Sequence, residues 1–463
     1  MLRIFKQYYP IRNIFFVIGE GLIVCLAVYL ASFIVLGYEV ICDGSLLLKT
    51  FLILFISQSF LYINDLYDFK ITNTFSEFGI RLLQAVGGSA VLLSGIYFLF
   101  PSAIIGQGIS LICILLILIL LISWRIFYMF VLNNGIFNKK IIILGSGELA
   151  KNIANEIKEK KDCGYSVESV VMEDDDGQSI TDKDNFEIFK NGFSGLCDMA
   201  VELGVDKIVE ALKEKRGALP VNELLKCRVD GVDILKGNSF YEMLTGKLIV
   251  SQINPAWLIF SDGFRKSAGR RIFKRTTDII LSSVMLVSLS PFLLIVVLLI
   301  KIDSRGNVIF SQERVGEKGK IFKVHKFRSM VNDAEKLSGP VWAGDNDPRV
   351  TRMGSIMRKL RIDEFPQLWN VIKGEMSFVG PRPERGFFVK DLQKDIPYYG
   401  ERFSVKPGLT GWAQVSYGYG ATFEDAVEKL NYDLFYIKNM SIFMDLMIVL
   451  RTVKTVLVGK GVH

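Results

Sequence analysis

Histidine is nearly absent from this 463-residue chain, which contains two histidines and six cysteines. Mechanisms that need a histidine base, or a metal centre with several histidine ligands, therefore have almost no residues to use. The cysteines form no CxxC pair and have no histidines to complete a zinc site, which excludes a disulfide framework and a structural zinc of that kind. Any acid–base chemistry must therefore be carried by carboxylates.

The composition indicates a membrane protein with soluble parts. Half of the residues are hydrophobic, mean hydropathy is +0.34, and the length allows about three domains. The net charge of +7 is uneven, because residues 264–410 hold 27 Lys and Arg against 15 Asp and Glu. No recognition-helix pattern or RNA-stacking motif accompanies this basic block, so nucleic acid is not expected as a partner. Anionic lipid heads and nucleotide diphosphates fit the block better.

The N-terminal third reads as a bundle of four transmembrane helices, which we assign to residues 1–133. A basic leader precedes the first apolar run, and no small-residue cleavage site follows it, so this run is a retained helix and not a signal peptide. Four runs approach the ~20 residues needed to cross hydrocarbon: 13–36, 46–63, 82–100 and 103–121. An even number of crossings returns the chain to the cytosol near Arg125, Lys139 and Lys140, in agreement with positive-inside bias.

Residues 134–262 have the pattern of a Rossmann-like α/β domain. The segment KKIIILGSGELAKNIANEI reads as a strand, a glycine turn and a helix, with Gly145, Gly147 and Ala150 in GxGxxA spacing. Glu173 and Asp174 stand where a ribose-binding acid would be, but the whole surrounding stretch is acidic. No YxxxK pair follows. We therefore expect a regulatory or dimerising domain in preference to one that uses a redox cofactor.

A further apolar segment, Asp278 to Ile300, is long enough to cross a bilayer but contains Pro291 near its middle. Proline removes a backbone hydrogen bond and bends a helix, and Ser288 and Ser290 could satisfy the groups it frees. Basic residues flank both ends of the segment. If positive residues stay inside, both ends stay inside, which favours a re-entrant helix at about 276–301 over a kinked span.

The chemistry is predicted at two adjacent carboxylates, Asp363 and Glu364, which we call the dyad. They follow several cations, including Arg358 and Arg361, so the ionised carboxylates are favoured and an arriving phosphate meets positive potential. A carboxylate can attack phosphorus or hold Mg²⁺ against a diphosphate, while arginines neutralise the oxygens of the transferring group. The pattern therefore suits phosphoryl transfer.

Two other basic segments are candidates for phosphate binding. The first carries Arg314, Lys326 and Arg328, and strand alternation would place Lys326 and Arg328 on one face, although such a face could merely be solvated. The second is Gly380–Pro383, here called the proline turn, in which Pro381 and Pro383 make the chain rigid and hold Arg382 at low entropic cost.

Three motifs in this part of the chain carry a family resemblance. KVHKFRSM (323–330), DPRVTRMGSIMRKLRIDEFPQLWNVIKGEMSFVGPRP (347–383) and KPGLTGWAQV (406–415) resemble, in order, the catalytic domain of bacterial polyprenyl-phosphate phosphoglycosyl transferases. The likeness runs from about Arg270 to the end. The whole chain resembles the long, exopolysaccharide-type members with a membrane bundle and a Rossmann-like insert. Where relatives often have Ser-Leu before the dyad, this chain has Arg361-Ile362.

The resemblance implies a catalytic α/β domain at residues 263–463, anchored by a re-entrant helix, on the cytosolic face of the bacterial inner membrane. It implies transfer of a sugar-1-phosphate from a UDP-sugar to undecaprenyl phosphate, with release of UMP. Asp363 would form a phosphosugar-aspartate, Glu364 would support Mg²⁺ or orient Asp363, Lys326 and Arg328 would belong to the active site, and Arg382 would contact the uridine nucleotide.

Two alternatives to this reading are open from the sequence. Lipid phosphate could displace UMP directly, with Asp363 only a metal ligand, or the chain could be a nucleotide-sensing membrane scaffold for polysaccharide export. The sugar carried, and whether the chain forms a homo-oligomer, are also open. The amphipathic segment 441–459 fits either an interfacial helix or a core helix.

Overall fold

The protein is described by a computed structural model. It covers residues 2–4, 7–9, 11–37, 44–68, 75–106, 108–135, 137–172, 187–189, 193–212, 219–252, 263–264, 267–331, 347, 349–418, 420 and 422–458. The chain divides into two compact units. The first comprises Met1–Ile4 with Tyr8–Thr245, and the second comprises Phe5–Gln7 with Gly246–His463.

The chain opens with two short strands, Leu2–Ile4 and Gln7–Tyr9, and the described residues of the first unit continue with four long helices. The helices are Ile11–Leu36, Gly44–Ile63, Phe75–Leu99 and Ile109–Asn133, and each has the length and apolarity to cross a membrane. The fourth helix begins later than the sequence predicts and ends later. Pro101 starts a separate short turn, and Gly108 adopts a left-handed conformation (φ +81°) that separates this turn from the helix.

Arg125 is buried inside this bundle and is not the flanking cation that the sequence suggests. Its Nε donates to Glu20 Oε1 at 2.8 Å, and its Nη1 donates to the Leu66 carbonyl at 2.6 Å. The rings of Phe16, Tyr67 and Phe78 surround the guanidinium. A buried charge persists only when it is paired and hydrogen-bonded in this way, so the first and fourth helices are held in one register.

A parallel α/β sheet follows in the same unit, as the sequence predicts. The strand order is Glu187–Phe189, Tyr165–Val171, Lys139–Leu144, Lys207–Glu210, Asp233–Lys236, with every neighbouring pair parallel. Four helices accompany it: Glu148–Glu159, Leu196–Glu202, Val221–Val229 and Gly237–Thr245. The apolar residues of the two central strands, Ile141–Leu144 and Ile208 with Val209, are completely buried, as expected for parallel strands that are covered on both faces.

The glycine turn of this sheet has a packing explanation. Gly145 lies at φ +109°, and a Cβ there would come within 2.7 Å of the Ala211 carbonyl oxygen on the neighbouring strand. Ala150 is fully buried in the first turn of the helix that follows, Glu148–Glu159. The acidic candidates Glu173 and Asp174 lie outside the described residues. The glycine at position 145 is therefore accounted for by its backbone conformation and by close backbone approach.

The second unit is an α/β domain built around one long helix, Ala268–Asp303. Strands Ile309–Val315 and Ile321–Phe327 form an antiparallel hairpin, and Ser377–Val379 pairs in parallel with Gly408–Thr410. The remaining helices are Arg352–Lys359, Gln367–Lys373, Gly386–Asp395, Trp412–Ser416, Phe423–Asn439 and Ile442–Val458. The largest apolar core of this unit includes Leu368, Phe378, Trp412, Leu434 and Met444.

The long helix continues through Pro291, and a serine replaces the backbone donor that the proline lacks. The proline cannot donate to the Val287 carbonyl four residues before it, and Ser290 Oγ donates to that oxygen instead at 2.8 Å. Ser288 Oγ similarly contacts the Met285 carbonyl at 3.3 Å. The predicted role is thus confirmed for Ser290, whereas the Met285 carbonyl that Ser288 contacts is not the one freed by Pro291.

Contacts at both ends, polar near the start and apolar near the end, join the long helix to the rest of the second unit. Near its start, Arg275 donates to the Val371 and Ile372 carbonyls at 2.5 and 2.7 Å. Asp278 accepts hydrogen bonds from Ser377 Oγ at 2.7 Å and from the Phe378 amide at 3.1 Å. Near its end, Val296 and Ile300 are buried against Phe327, Met357 and Ile362. The opposite face exposes apolar residues such as Leu294 and Leu298.

The C-terminal helix Ile442–Val458 combines the two alternatives left open by its sequence. Met444 and Ile448 are fully buried in the core, whereas Leu446, Leu450 and Val453 are exposed along the other face. The helix therefore contributes to the core and also presents an apolar surface.

Candidate active site

The dyad lies in a single short 3-10 turn, Ile362–Glu364, between two helices of the second unit. Arg361 precedes it in the left-handed region, at φ +54° and ψ +22°, which a non-glycine residue adopts at some cost. This backbone reversal turns the chain so sharply that both carboxylates enter the domain, where each is only 8% exposed. The local backbone thus explains why two consecutive acids are both buried.

Glu364 is fixed by two cations from other parts of the chain. Its Oε1 accepts hydrogen bonds from Lys326 Nζ at 3.2 Å and from Arg382 Nη2 at 2.7 Å. Burial alone raises the pKa of the Glu364 carboxyl, but the positive charges of Arg382, Lys326 and Arg361 outweigh it and hold the pKa well below the ordinary value. Glu364 is therefore ionised and immobile.

The Asp363 carboxylate differs from that of Glu364 both in its hydrogen-bond partners and in the direction of its pKa shift. No described residue donates a hydrogen bond to its carboxylate or forms an ion pair with it. Burial raises the pKa of Asp363 above its ordinary value; Lys326 opposes this shift, and the neighbouring Glu364 charge adds to it. The dyad thus consists of one anchored anion and one carboxylate that is free to react.

The proline turn supplies the arginine that holds Glu364. Its backbone is bound to the strand Gly408–Thr410, because the Gly380 amide donates to the Thr410 carbonyl and the Gly408 amide to the Pro381 carbonyl, both at 2.8 Å. Pro381 and Pro383 are buried. The rigid turn predicted from the sequence is therefore present, and it directs the side chain of Arg382 at the dyad.

The other predicted site residues are distributed around this centre. Arg358 contributes through its charge near Asp363, and no hydrogen bond joins the two side chains. Arg314 Nη1 donates to the Pro383 carbonyl at 3.1 Å and lies 3.5 Å from Glu384. Burial lowers the pKa of Arg314 to about 10. Arg314 therefore supports the proline turn and remains close enough to the dyad to add positive potential.

Arg328 directly follows the last residue of the strand that carries Lys326, and its amide still donates to the Val308 carbonyl across the hairpin at 2.8 Å. The strand ends at Phe327, and the buried guanidinium of Arg328 donates to the Ser304 and Arg305 carbonyls at 2.7 and 3.0 Å. These carbonyls follow the end of the long helix, where backbone acceptors lack intrahelical donors. The described side-chain contacts of Arg328 are thus with the end of the long helix and not with the dyad.

The carboxylate oxygens of the dyad that accept no hydrogen bond from the protein are suitable ligands for a magnesium ion. Within the described ranges, no cluster of three Asp, Glu, His or Cys side chains could hold a metal by itself. The Asp363 carboxylate and Glu364 Oε2 nevertheless accept no hydrogen bond from the described residues. Mg²⁺ is commonly bound by one or two carboxylates together with substrate phosphates, and this donor pair meets that requirement.

Sequence reasoning missed four charged residues that hold segments of this unit together: Arg275, Asp278, Arg402 and Asp433. All four are buried or half-buried and pair with groups far away in the chain. An acid beside an apolar run was a usable signal for Asp278, since such acids need a partner. No local pattern distinguishes Arg402 or Asp433.

Two family models match the chain. The model described as a bacterial sugar transferase matches residues 269–459, which contain the dyad and the proline turn. The model described as a CoA-binding domain matches residues 62–235, which include the parallel sheet. The sugar transferase match lies in the second unit, which contains the dyad, and the CoA-binding match lies in the first unit.

Several relatives that are named for an enzymatic activity are similar to this chain. The UDP-galactose-lipid carrier transferase of Erwinia amylovora is 31% identical over 349 residues, covering 72% of this chain and 71% of the relative. The UDP-N-acetylgalactosamine-undecaprenyl-phosphate N-acetylgalactosaminephosphotransferase of Aeromonas hydrophila is 40% identical over 238 residues, 51% of this chain and 55% of the relative. The UDP-glucose:undecaprenyl-phosphate glucose-1-phosphate transferase of Escherichia coli (strain K12) is 42% identical over 202 residues, 42% and 43% respectively. The match thus spans about half the length of the last two relatives.

Proposed function

The chain belongs to the bacterial sugar transferase family, and from this premise we propose that it transfers a sugar-1-phosphate from a UDP-sugar to undecaprenyl phosphate and releases UMP. Relatives named for this activity use UDP-glucose or UDP-N-acetylgalactosamine. The buried dyad among cations supports the proposal, because it provides an anion for phosphorus chemistry and positive charge for phosphate oxygens. The step would initiate assembly of a surface glycan.

The proposed mechanism rests on the difference between Glu364, which is paired with two cations, and Asp363, which accepts no hydrogen bond from the described residues. An oxygen of Asp363 attacks the β-phosphorus of the UDP-sugar and forms a P–O bond, while the bond from that phosphorus to the bridging oxygen breaks and releases UMP. A carboxylate with a raised pKa and no protein hydrogen bond is a better nucleophile than one neutralised by two cations. Asp363 therefore takes this role, and Glu364 does not.

The cations around the dyad stabilise charge that develops on the phosphoryl oxygens. Arg382 and Lys326 are held by Glu364, and Arg358 and Arg361 add positive potential from the neighbouring turn. Donors fixed before the reaction supply much of the rate enhancement of phosphoryl transfer. A magnesium ion bound by Asp363, Glu364 and the diphosphate would further neutralise that charge.

In the second half-reaction, an oxygen of undecaprenyl phosphate attacks the same phosphorus. Its new P–O bond replaces the bond to Asp363, so the sugar diphospho-lipid leaves and the carboxylate is regenerated. The exposed apolar face of the long helix, which includes Leu294 and Leu298, suits a substrate that arrives from the bilayer. Direct displacement by lipid phosphate is the competing route.

Isotope exchange tests the proposed reaction and separates these two routes. Labelled UMP incubated with unlabelled UDP-sugar, Mg²⁺ and purified protein should enter the UDP-sugar pool without any lipid phosphate, because UMP can attack the phosphosugar-aspartate and reverse the first step. A reaction with the Asp363→Asn variant is the control. UMP release that strictly requires lipid phosphate, with no exchange in its absence, would contradict the covalent intermediate. Neither release nor exchange with any UDP-sugar would instead favour the scaffold alternative.

We further propose that the long helix is re-entrant and that the active site faces the cytosol of the inner membrane. Arg275 and Asp278 near its start, and Ile300 with the Arg328 contacts at its end, all bind the same unit. A helix that crossed the bilayer would carry one of these sets of partners to the opposite face. The substrates proposed here are cytosolic nucleotides, which agrees with this topology.

Single-cysteine labelling checks this topology. Arg270→Cys and Lys301→Cys place thiols at the two exposed ends of the helix, away from Lys274, which pairs with Asp445. Both should react with an impermeant maleimide only in inside-out vesicles or permeabilised cells. The unmodified chain gives the background, since its described cysteines are buried or half-buried. Labelling of the two positions from opposite sides would establish a simple span.

A further inference from the structure

We propose that Arg402, paired with Asp433, is a positioning residue for the transfer reaction. It fixes the backbone of the proline turn so that Arg382 reaches the dyad and the substrate diphosphate. The inference rests on the function proposed above and assigns a role to two residues outside all three sequence motifs that carry the family resemblance.

Arg402 is almost entirely enclosed, with 7% of its surface exposed. Its Nη2 donates to the Arg382 carbonyl at 3.1 Å and to Asp433 Oδ2 at 2.8 Å, and its Nη1 donates to the Tyr399 hydroxyl. Asp433, on the helix Phe423–Asn439, is 2% exposed. The ion pair is thus buried and is connected directly to the main chain of the residue that binds Glu364.

The proline turn depends on external donors for its shape. Pro381 and Pro383 have no backbone N–H, so the turn cannot stabilise itself with a full set of internal hydrogen bonds. Three consecutive carbonyls are instead bound from outside. Pro381 O accepts from the Gly408 amide, Arg382 O from Arg402, and Pro383 O from Arg314.

The central one of these three bonds sets the direction of the Arg382 side chain. That side chain must span from the turn to Glu364 Oε1, 2.7 Å from its Nη2. A carbonyl released by Arg402 would let the peptide after Arg382 rotate, and the guanidinium would move with it. Displacements of about 1 Å at a positioning group cost roughly 100-fold in rate, even when the altered residue lies away from the chemistry.

A purely structural role would give a different experimental result. In that case the Arg402–Asp433 pair would only fasten the helix Phe423–Asn439 to the core, and any replacement that restored packing would also restore activity. Removing one partner of a buried ion pair is strongly destabilising, whereas replacing both by apolar residues of similar volume is often neutral. The double replacement therefore separates stability from positioning.

The test uses the full-length protein in nanodiscs and compares Arg402→Met, Asp433→Leu and the double variant Arg402→Met/Asp433→Leu. We expect each single variant to lower the unfolding temperature and the double variant to recover most of the loss. In the double variant, kcat/KM for UDP-sugar should remain about 100-fold below wild type. KM for polyprenyl phosphate should be unchanged, because Arg382 is assigned to the nucleotide side.

Asn431→Ala is the matched control. Asn431 is buried on the same helix, two residues from Asp433, and accepts a hydrogen bond from the Val250 amide. It should lose stability and keep wild-type kcat/KM. Recovery of both stability and kcat/KM in the double variant would overturn the positioning role, as would an equal loss of kcat/KM in Asn431→Ala. Absence of UMP release by the wild-type protein would instead refute the proposed function itself.

Discussion

Asp363→Asn should lower UMP release and UMP exchange by at least about 10⁴-fold, since loss of a nucleophile removes the covalent route entirely. The substitution keeps the size and planarity of the side chain and removes its negative charge. No described hydrogen bond or ion pair to the Asp363 carboxylate is lost. The measurement is single-turnover UMP release in nanodiscs with saturating UDP-sugar and Mg²⁺.

The folded state should tolerate this replacement well. Burial raises the pKa of Asp363, so the folded state binds that proton more tightly than the unfolded chain does. The contribution of this group to stability is therefore largest below the unfolded pKa and declines as pH rises through the folded pKa. A permanently neutral asparagine avoids the decline, and the unfolding temperature at pH 7 should equal or exceed that of the wild type.

The same shift predicts where the wild-type enzyme loses activity on acidification. In the pH profile of kcat/KM, the midpoint of the acid limb should lie above the ordinary pKa of an aspartate, because protonated Asp363 cannot attack phosphorus. Raising Mg²⁺ should move this limb to lower pH, since the cation and the proton compete for one carboxylate. Substantial UMP release by folded Asp363→Asn would rule out the covalent mechanism and leave direct displacement.

Glu364→Gln should lower kcat by about 10²- to 10³-fold. Glutamine keeps an acceptor oxygen but carries no charge, so Lys326 and Arg382 would face each other without the anion that holds them. Both donors would lose their fixed orientation toward the phosphoryl oxygens. Because the buried Glu364 would no longer be paired with Lys326 and Arg382, the unfolding temperature should also fall, in contrast to Asp363→Asn.

Magnesium titration distinguishes this anchoring role from a purely metal-binding one. If Glu364 acts mainly by holding Lys326 and Arg382, excess Mg²⁺ should not restore kcat of the Glu364→Gln variant. Glu375→Gln serves as the comparison, because Glu375 accepts a hydrogen bond from Asn370 and has no described contact with Lys326 or Arg382. A full return to the wild-type rate at high Mg²⁺ would assign Glu364 to the metal alone.

Much of the fold was predictable because it follows from hydrophobic length and periodicity. The long apolar runs gave the bundle helices, and alternation of buried strands with amphipathic helices gave the parallel sheet. Helix boundaries were less accurate, as the fourth bundle helix illustrates. Arg125 suggested the end of a span by its charge, and only its distant partner Glu20 allows the helix to continue past it.

The centre of the site was predictable because its residues stand in short, dense motifs. Lys326, Glu364 and Arg382 meet in space, as their types suggested. The contacts of Arg328 with the end of the long helix were not predictable, because strand alternation says nothing about a distant helix terminus. Arg402 and Asp433 could not be found from the sequence, since a buried ion pair between residues 31 positions apart leaves no local pattern.

Arg275 and Asp278 join the long helix to the helix Gln367–Lys373, which follows the dyad, and to the strand before the proline turn. These contacts connect the apolar helix to the residues around the active site. A re-entrant helix need not match the full hydrocarbon thickness, but the lipids around it still influence how deeply it inserts and how it tilts. The same two side chains bind the carbonyls of Val371 and Ile372 and the residues Ser377 and Phe378. We therefore expect turnover to change with the acyl-chain length of the surrounding lipids, which rate measurements in nanodiscs of different lipids would test.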